Sequence, residues 1–260
     1  MSVIERLSPP VDPVIAIETR GMAVNCETAR LSRVLSGVLR RHHITATARV
    51  RLSVQGADGL ALVQANVRFR DAPTRVQISG PRGFVAGFAA ERLDRQLTRL
   101  AGRGEPRCWP DPARPPLGWV SHERPIVRRK VCDPSVTNPA EAARIMDAMD
   151  YDAHLFVDDH TGEDAIVFWA GPFGVRLARQ HQVLPQAPTS AATFTVQPRP
   201  APCLADHEAA ARLCRYGLPF LFYTDPRGRR GRLMYRRYDG DLAVVIPAAS
   251  ESRGAAKGLS

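Results

Sequence analysis

Lysine is almost absent from the 260-residue chain. It occurs only at Lys130 and Lys257, so the formal charge of +10 is carried by arginine. The cysteines, Cys26, Cys108, Cys132, Cys203 and Cys214, are odd in number and show no C-x-x-C spacing. That pattern speaks against a zinc site or a disulfide framework and for free thiols. No stretch approaches about 18 continuous apolar residues, and the first residues contain no apolar run of signal-peptide length, so a cytoplasmic protein with no membrane contact is expected. There is no Walker loop, no G-x-G-x-x-G and no Ser-His-Asp motif. The histidines are scattered, with His42 and His43 at a helix end where they complement the dipole. Asp147, Asp150, Asp152 and the pair Asp158-Asp159 lack EF-hand spacing. No metal, no cofactor and no enzymatic activity are expected.

What is present is a strongly basic soluble chain, 44% hydrophobic and 24% charged. Such a balance suggests an acidic partner. Residues 1–104 hold 16 basic and 8 acidic side chains, residues 105–185 hold 9 and 12, and residues 186–260 hold 11 and 6. The first segment is therefore the leading candidate for a polyanion site. Prolines 106, 110, 112, 115 and 116 mark residues 105–123 as a semi-rigid linker. The remaining divisions are a first module over 124–185, a second linker over 186–202, a second module over 203–247 and a disordered tail over 248–260.

In the first segment a strand over 14–19 precedes a helix opened by Asn25 and running to about His42. Three strands then alternate: Val50, Leu52, Val54, Val63, Ala65, Val67, Phe69, Val76 and Ile78 face one way, and Arg49, Arg51, Gln64, Asn66, Arg68, Arg70, Arg75 and Gln77 the other. Gly83 opens a second helix with Phe84, Phe88, Leu93, Leu97 and Leu100 inward and Arg92, Arg95, Arg99 and Arg103 on a neighbouring stripe. The order is β-α-β-β-β-α.

The second half repeats itself. At an offset of 67, Ala142, Met146, Leu155, Phe156 and Asp158 fall on Ala209, Leu213, Phe222, Tyr223 and Asp225; after a one-residue deletion, Gly162, Val167 and Gly174 fall on Gly228, Leu233 and Gly240. Each copy reads as a helix followed by three short strands. Asn138-Pro139-Ala140-Glu141 starts the first helix, Asp206 caps the second, and Asp239-Gly240 marks a hairpin turn. The fold class is α+β, with two tandem small α+β modules after the N-terminal domain.

The segments Ala48-Arg-Val-Arg-Leu-Ser-Val54, Ile126-Val-Arg-Arg-Lys130, Met149-Asp-Tyr-Asp-Ala-His-Leu-Phe156 and Tyr235-Arg-Arg-Tyr-Asp-Gly240 resemble the long form of the ribosome hibernation promoting factor family, in its actinobacterial branch with two C-terminal modules. The resemblance covers residues 13–247. It implies an N-terminal fold similar to double-stranded RNA-binding domains. It also implies binding to the 30S subunit and 70S ribosome, on 16S rRNA in the channel used by mRNA and tRNA, to silence idle ribosomes in stress or dormancy. Basic residues matching that role are Arg30, Arg33, Arg40, Arg41, Arg75, Arg82, Arg92, Arg95 and Arg99. In long-form relatives the single C-terminal domain pairs with its copy on another chain. A tethered second module, at an effective concentration near the millimolar range, favours pairing within the chain and a monomer. Phe156, Val167, Trp169, Phe222, Leu233 and Tyr235 are the expected pairing residues. A general RNA-binding protein or chaperone, or a small-ligand sensor, remains the alternative.

Overall fold

The computed structural model of the chain describes residues 13–22, 25–55, 59–102, 107, 109–114, 117, 122–171, 174–183 and 194–248. The interior of the second linker and the tail after Ala248 lie outside them, as do Arg103 and Cys108. The described residues divide into two compact units. The first takes those up to Gly102 with residues 111–114 and 148–150, and the second takes the rest.

The first unit runs β1 (Ile15–Arg20), α1 (Asn25–Arg41), β2 (Ala48–Gln55), β3 (Leu60–Phe69), β4 (Ala72–Pro81) and α2 (Val85–Ala101). Its sheet has the order β1-β2-β3-β4. β1 is parallel to β2, because α1 carries the chain back between them, and the other pairs are antiparallel. The two-residue period does the sorting. Val50, Leu52, Val63, Ala65, Val67, Val76 and Ile78 meet Leu31, Leu35, Val38 and Leu39 of α1 and Val85, Ala89, Leu93 and Leu97 of α2 in one core. Each fully buried leucine contributes roughly 1.5–3 kcal/mol. Two inward assignments fail: Phe84 and Phe88 are 62% and 40% exposed. α2 starts only at Val85, so its first turn lies at the margin of the sheet. There the Phe88 ring lies over Gly80, where a Cβ would come within 2.9 Å of it.

The second unit contains β5 (Ile126–Cys132), β6 (Val136–Thr137), α3 (Pro139–Ala148), β7 (Ala153–Asp158), β8 (Asp164–Trp169), β9 (Val175–Arg179), β10 (Thr195–Val196), α4 (Asp206–Arg215), β11 (Phe220–Thr224), β12 (Gly231–Arg236) and β13 (Leu242–Pro247). Asn138 caps α3 as expected, its Oδ1 accepting the Glu141 N–H at 2.9 Å. α4 is started differently: Ala205 is the N-cap, Asp206 lies in the first turn, and Glu208 reaches back to the Ala205 N–H at 2.7 Å. The Asp239-Gly240 turn forms, with Gly240 at φ 85°.

The strand pairing holds the main surprise. β5 opens the first module but pairs with β13 of the second, and β10 precedes the second module but pairs with β9 of the first. Ala243 meets Arg128 and Arg176 meets Thr195, positions 67 apart on both sides. The modules exchange their leading strands reciprocally.

The 67-residue spacing also runs without a gap. Ala153–Phe168 and Phe220–Tyr235, Ile166–Ala178 and Leu233–Val245, Trp169–Val175 and Arg236–Leu242 are equivalent ladder pairs. The expected one-residue deletion is absent. Gly162 (φ 71°) corresponds to Arg229 (φ 49°), not to Gly228, because the two turns place glycine differently. Val167 corresponds to Met234, and both are fully buried.

Candidate nucleic-acid interface and module pairing

On α1, Arg30, Arg33, Arg40 and Arg41 are all exposed. At 100° per residue they share one face, opposite the buried Leu31, Leu35 and Leu39 stripe. Arg30 donates to the Gly83 carbonyl at 2.7 Å, at the entrance to α2. Arg41 pairs with Asp94 at 2.9 Å, and His42 reaches the same carboxylate at 2.8 Å. The His42 hydrogen bond, followed by Arg41, holds the Asp94 carboxyl below its ordinary range despite some burial. A pair with so exposed a guanidinium is worth about 0–1 kcal/mol, so the Arg41–Asp94 contact is broken at little cost.

The other expected arginines separate. Arg95 is exposed and pairs with Glu91 one turn away, at 3.1 Å. Arg99 is half-buried and donates to Gln96 at 3.1 Å. Arg82 is half-buried in a bidentate pair with Glu27 (2.7 and 3.0 Å) and donates to the Met22 carbonyl. Arg75 donates to the Asp150 carbonyl at 3.1 Å. Arg92 is a correction. Its side chain is 2% exposed and bonds the carbonyls of Gln77 and Ala113 and, at 2.9 Å, the Asp150 carboxylate. A guanidinium enclosed in this way cannot reach a phosphate; its role is structural.

Sequence reasoning missed an aromatic pair. Phe84 and Phe88 stack with ring centroids 6.4 Å apart and an interplanar angle of 21°, beside the Arg30–Gly83 bond. An i, i+4 apolar spacing reads as core, and only the start of the helix shows otherwise. A pocket of about 360 Å³ lies at the starts of α1 and α2, among Cys26, Glu27, Arg30, Leu31, Arg82 and Val85. Its Glu27 and Arg82 side chains neutralise each other.

Three of the acidic residues considered as a cation site are paired with arginines: Asp147 with Arg107 at 2.8 Å, Asp150 with Arg92, and Asp158 with the buried Arg179 at 2.7 Å. Among the described residues no group of three or more His, Cys, Asp and Glu is placed to hold a metal.

In the second unit, Ala153, Leu155, Ile166 and Ala178 of the first module pack against Phe222 and Leu233 of the second, with Phe168, Phe220 and Val245 alongside. Of the expected pairing residues, Phe222 and Leu233 lie in this layer. Phe156 and Val167 do not; they face α3 in the first module's own core with Ala142 and Met146. Val167 and Leu233, aligned by the expected deletion, lie on opposite faces of their sheets, since a slip of one residue moves a strand's whole side-chain set to the other face. Trp169 packs on the same core and donates to the Tyr151 carbonyl at 2.8 Å. Tyr235 sits under the ammonium of Lys130, 5.5 Å from the ring centroid, and so contacts the exchanged strand β5.

Ion pairs add to the interior. Asp206 accepts from Arg129, from Tyr223 at 2.6 Å and from Arg232 at 2.8 Å. Burial pushes its pKa up, but the bonds from Arg129, Tyr223 and Arg232 outweigh that and hold it down at about 2.

Comparison with known proteins agrees with this architecture. Residues 121–177 match the family model described as Sigma 54 modulation/S30EA ribosomal protein C terminus. The chain is 41% identical over 261 residues, 95% of its own length and 92% of the relative's, to the Dormancy associated translation inhibitor of Mycobacterium tuberculosis, in strains CDC 1551 and H37Rv alike. Identity at that level over nearly the whole length reaches both units, beyond the single module that the family model matches. The chain belongs to the long-form, S30AE-type ribosome hibernation factor family, in the branch with two tandem C-terminal modules.

Proposed function

We propose that the chain is a ribosome hibernation factor that binds the small subunit in the mRNA/tRNA channel, blocks translation and protects idle 70S ribosomes. The observation that carries the reading is the exposed α1 face of Arg30, Arg33, Arg40 and Arg41 on a β-α-β-β-β-α fold, in a chain related along its length to a translation inhibitor. Arginine suits this surface because its planar fork matches phosphate oxygens and it stacks on bases. Arg95 and Arg99 extend the phosphate-facing set, while the Phe84–Phe88 pair offers unpaired 16S rRNA bases a stacking platform.

The action is occlusion, not catalysis. Glu27 at the described pocket is paired with Arg82, Asp147, Asp150 and Asp158 are each paired with an arginine, and no helix of the described residues is long and apolar enough to cross a membrane. The reading places the protein in the cytoplasm, where ribosomes are. Because the modules pair within the chain, the protein acts as a monomer and holds 70S particles singly.

Co-sedimentation tests this. The protein should pellet with purified 30S subunits and 70S ribosomes and lower translation in a reconstituted system, with much weaker binding to free structured RNA of equal mass. Equal affinity for free RNA would instead make it a general RNA-binding protein.

A further inference from the structure

We propose that the two modules carry complementary surfaces, so that each accepts only the unlike module and like-with-like pairing is excluded. The inference deepens the intrachain pairing proposed above. The gap-free 67-residue spacing makes Asp164 and Gly231 equivalent positions, and they meet each other. A Cβ on Gly231 would lie 2.7 Å from the Asp164 Cβ, closer than real Cβ atoms come. Only one of these positions can carry a side chain.

The chemistry around the pair is one-sided. The Asp164 carboxylate, 2% exposed, accepts the Gly231 N–H at 2.7 Å and both Nε and Nη2 of Arg230 at 2.7 and 2.9 Å. The equivalent of Arg230 is Glu163. The first module thus presents Glu163-Asp164 where the second presents Arg230-Gly231. Two first modules would bring aspartate against aspartate, with like charges and colliding Cβ atoms. Two second modules would bring arginine against arginine, with neither carboxylate nor side chain between the glycines. Burying charge without its partner is what makes such mismatches costly.

Volume follows the same division. In the shared apolar layer, Ala153, Leu155 and Ala178 of the first module are equivalent to Phe220, Phe222 and Val245 of the second. The small set fits against the large one; Phe168 meets Phe220 edge-on with centroids 5.4 Å apart. Two small sets would leave a cavity and two large sets would overpack. Charge and volume therefore reject the same wrong pairings. A single-module homodimer cannot use either device, because its two surfaces are identical.

The test exchanges the triplets Leu155/Glu163/Asp164 and Phe222/Arg230/Gly231 in the full chain, since the Gly231 site also borders the Phe222 ring. Variant one is L155F/E163R/D164G, variant two is F222L/R230E/G231D, and variant three carries all six changes. Closure is read as amide-exchange protection of the β5–β13 ladder and assembly as mass by light scattering, on purified protein without ribosomes. The native chain, at 28.6 kDa, should be protected and of single-chain mass. If it is not, the intrachain pairing itself falls, which separates that failure from failure of the complementarity.

Variants one and two should each lose the protection. Mixed one to one, they should regain it as a complex of two chains, because every module of one then complements every module of the other. Variant three should regain it as a single chain. Should variants one and two precipitate alone while variant three folds, complementarity is again the cause. Protection retained in either single-module variant, or absent from both the mixture and variant three, overturns the proposal.

Discussion

In the first unit Arg30, Arg33, Arg40, Arg41 and Arg95 are exposed, with Arg41 beside the half-buried Asp94, Arg95 beside the exposed Glu91 and Arg30 on the Gly83 carbonyl. In the second, Arg179, Arg230 and Arg232 end on Asp158, Asp164, Asp206 and Asp225, whose side chains are 14% exposed or less. Both units are rich in arginine and both expose some of it, but the second also sets a group of arginines on buried carboxylates, and one of these pairs, Arg230 with Asp164, joins the two modules. What distinguishes the two sets is burial of the pair: Arg41 and Arg95 stay more than half exposed beside their carboxylates, whereas Arg179 and Asp158 are enclosed together. Basic charge counted along a sequence measures supply, and only pairing shows where the charge is available.

Arg92 is the inward arginine of the outward-facing unit, so it tests the comparison hardest. Arg92→Ala should cost about 3–5 kcal/mol, because it leaves the Asp150 carboxylate buried without its guanidinium. The salt dependence of ribosome binding should not change. Denaturant unfolding and a salt titration check this together; normal stability with a flattened salt slope would return Arg92 to the RNA surface.

The second unit has an internal control. Burial holds the imidazole of His154 down at about 4, and its counterpart in the second module is Leu221. The neutral ring is the folded form, so its contribution is complete above the unfolded value of about 6.5 and is lost as pH falls toward about 4, on the order of 3 kcal/mol. Asp206, held near 2, loses its contribution only at lower pH, below about 3.9. Thermal unfolding of His154→Leu between pH 4 and 7 should show a flattened upper limb, and an unchanged limb would contradict the assignment.

Replacing Arg30, Arg33, Arg40 and Arg41 by alanine should weaken ribosome binding on the order of 100-fold at moderate salt. It should also reduce the log–log salt slope by about 3, since each phosphate contact contributes about 0.7–0.9. An unchanged slope would remove α1 from the interface. The smallest effect belongs to Phe84→Ala with Phe88→Ala, where loss of stacking should cost about tenfold in affinity with the salt slope intact. Loss of stability instead would mean that the rings support the fold.

Much of this architecture is written in local pattern. The alternation through Val50, Leu52, Val63, Ala65, Val67, Val76 and Ile78 is legible because a sheet with one wet face sorts residues in twos. The Leu31–Leu35–Leu39 stripe of α1 and the repeat of the modules are legible for similar reasons. What could not be read depends on partners far along the chain. Ile126–Cys132 reads as a strand, but nothing local says that it pairs with Leu242–Pro247. The stripe of Arg92, Arg95 and Arg99 reads as one face, yet only Asp111 and Asp150, brought up by the fold, decide that Arg92 is enclosed. The register of the repeat is hidden at its first turn, because the left-handed position is the same in both copies but is filled by Gly162 in one and Arg229 in the other, with Gly228 one residue earlier.

Sucrose-gradient sedimentation of 70S ribosomes with saturating protein tests at once whether the basic N-terminal unit binds the ribosome and whether the two modules pair within the chain. The account predicts a 70S peak that carries the protein. Protein left at the top of the gradient would contradict ribosome binding, and a dominant 100S peak would contradict pairing within the chain.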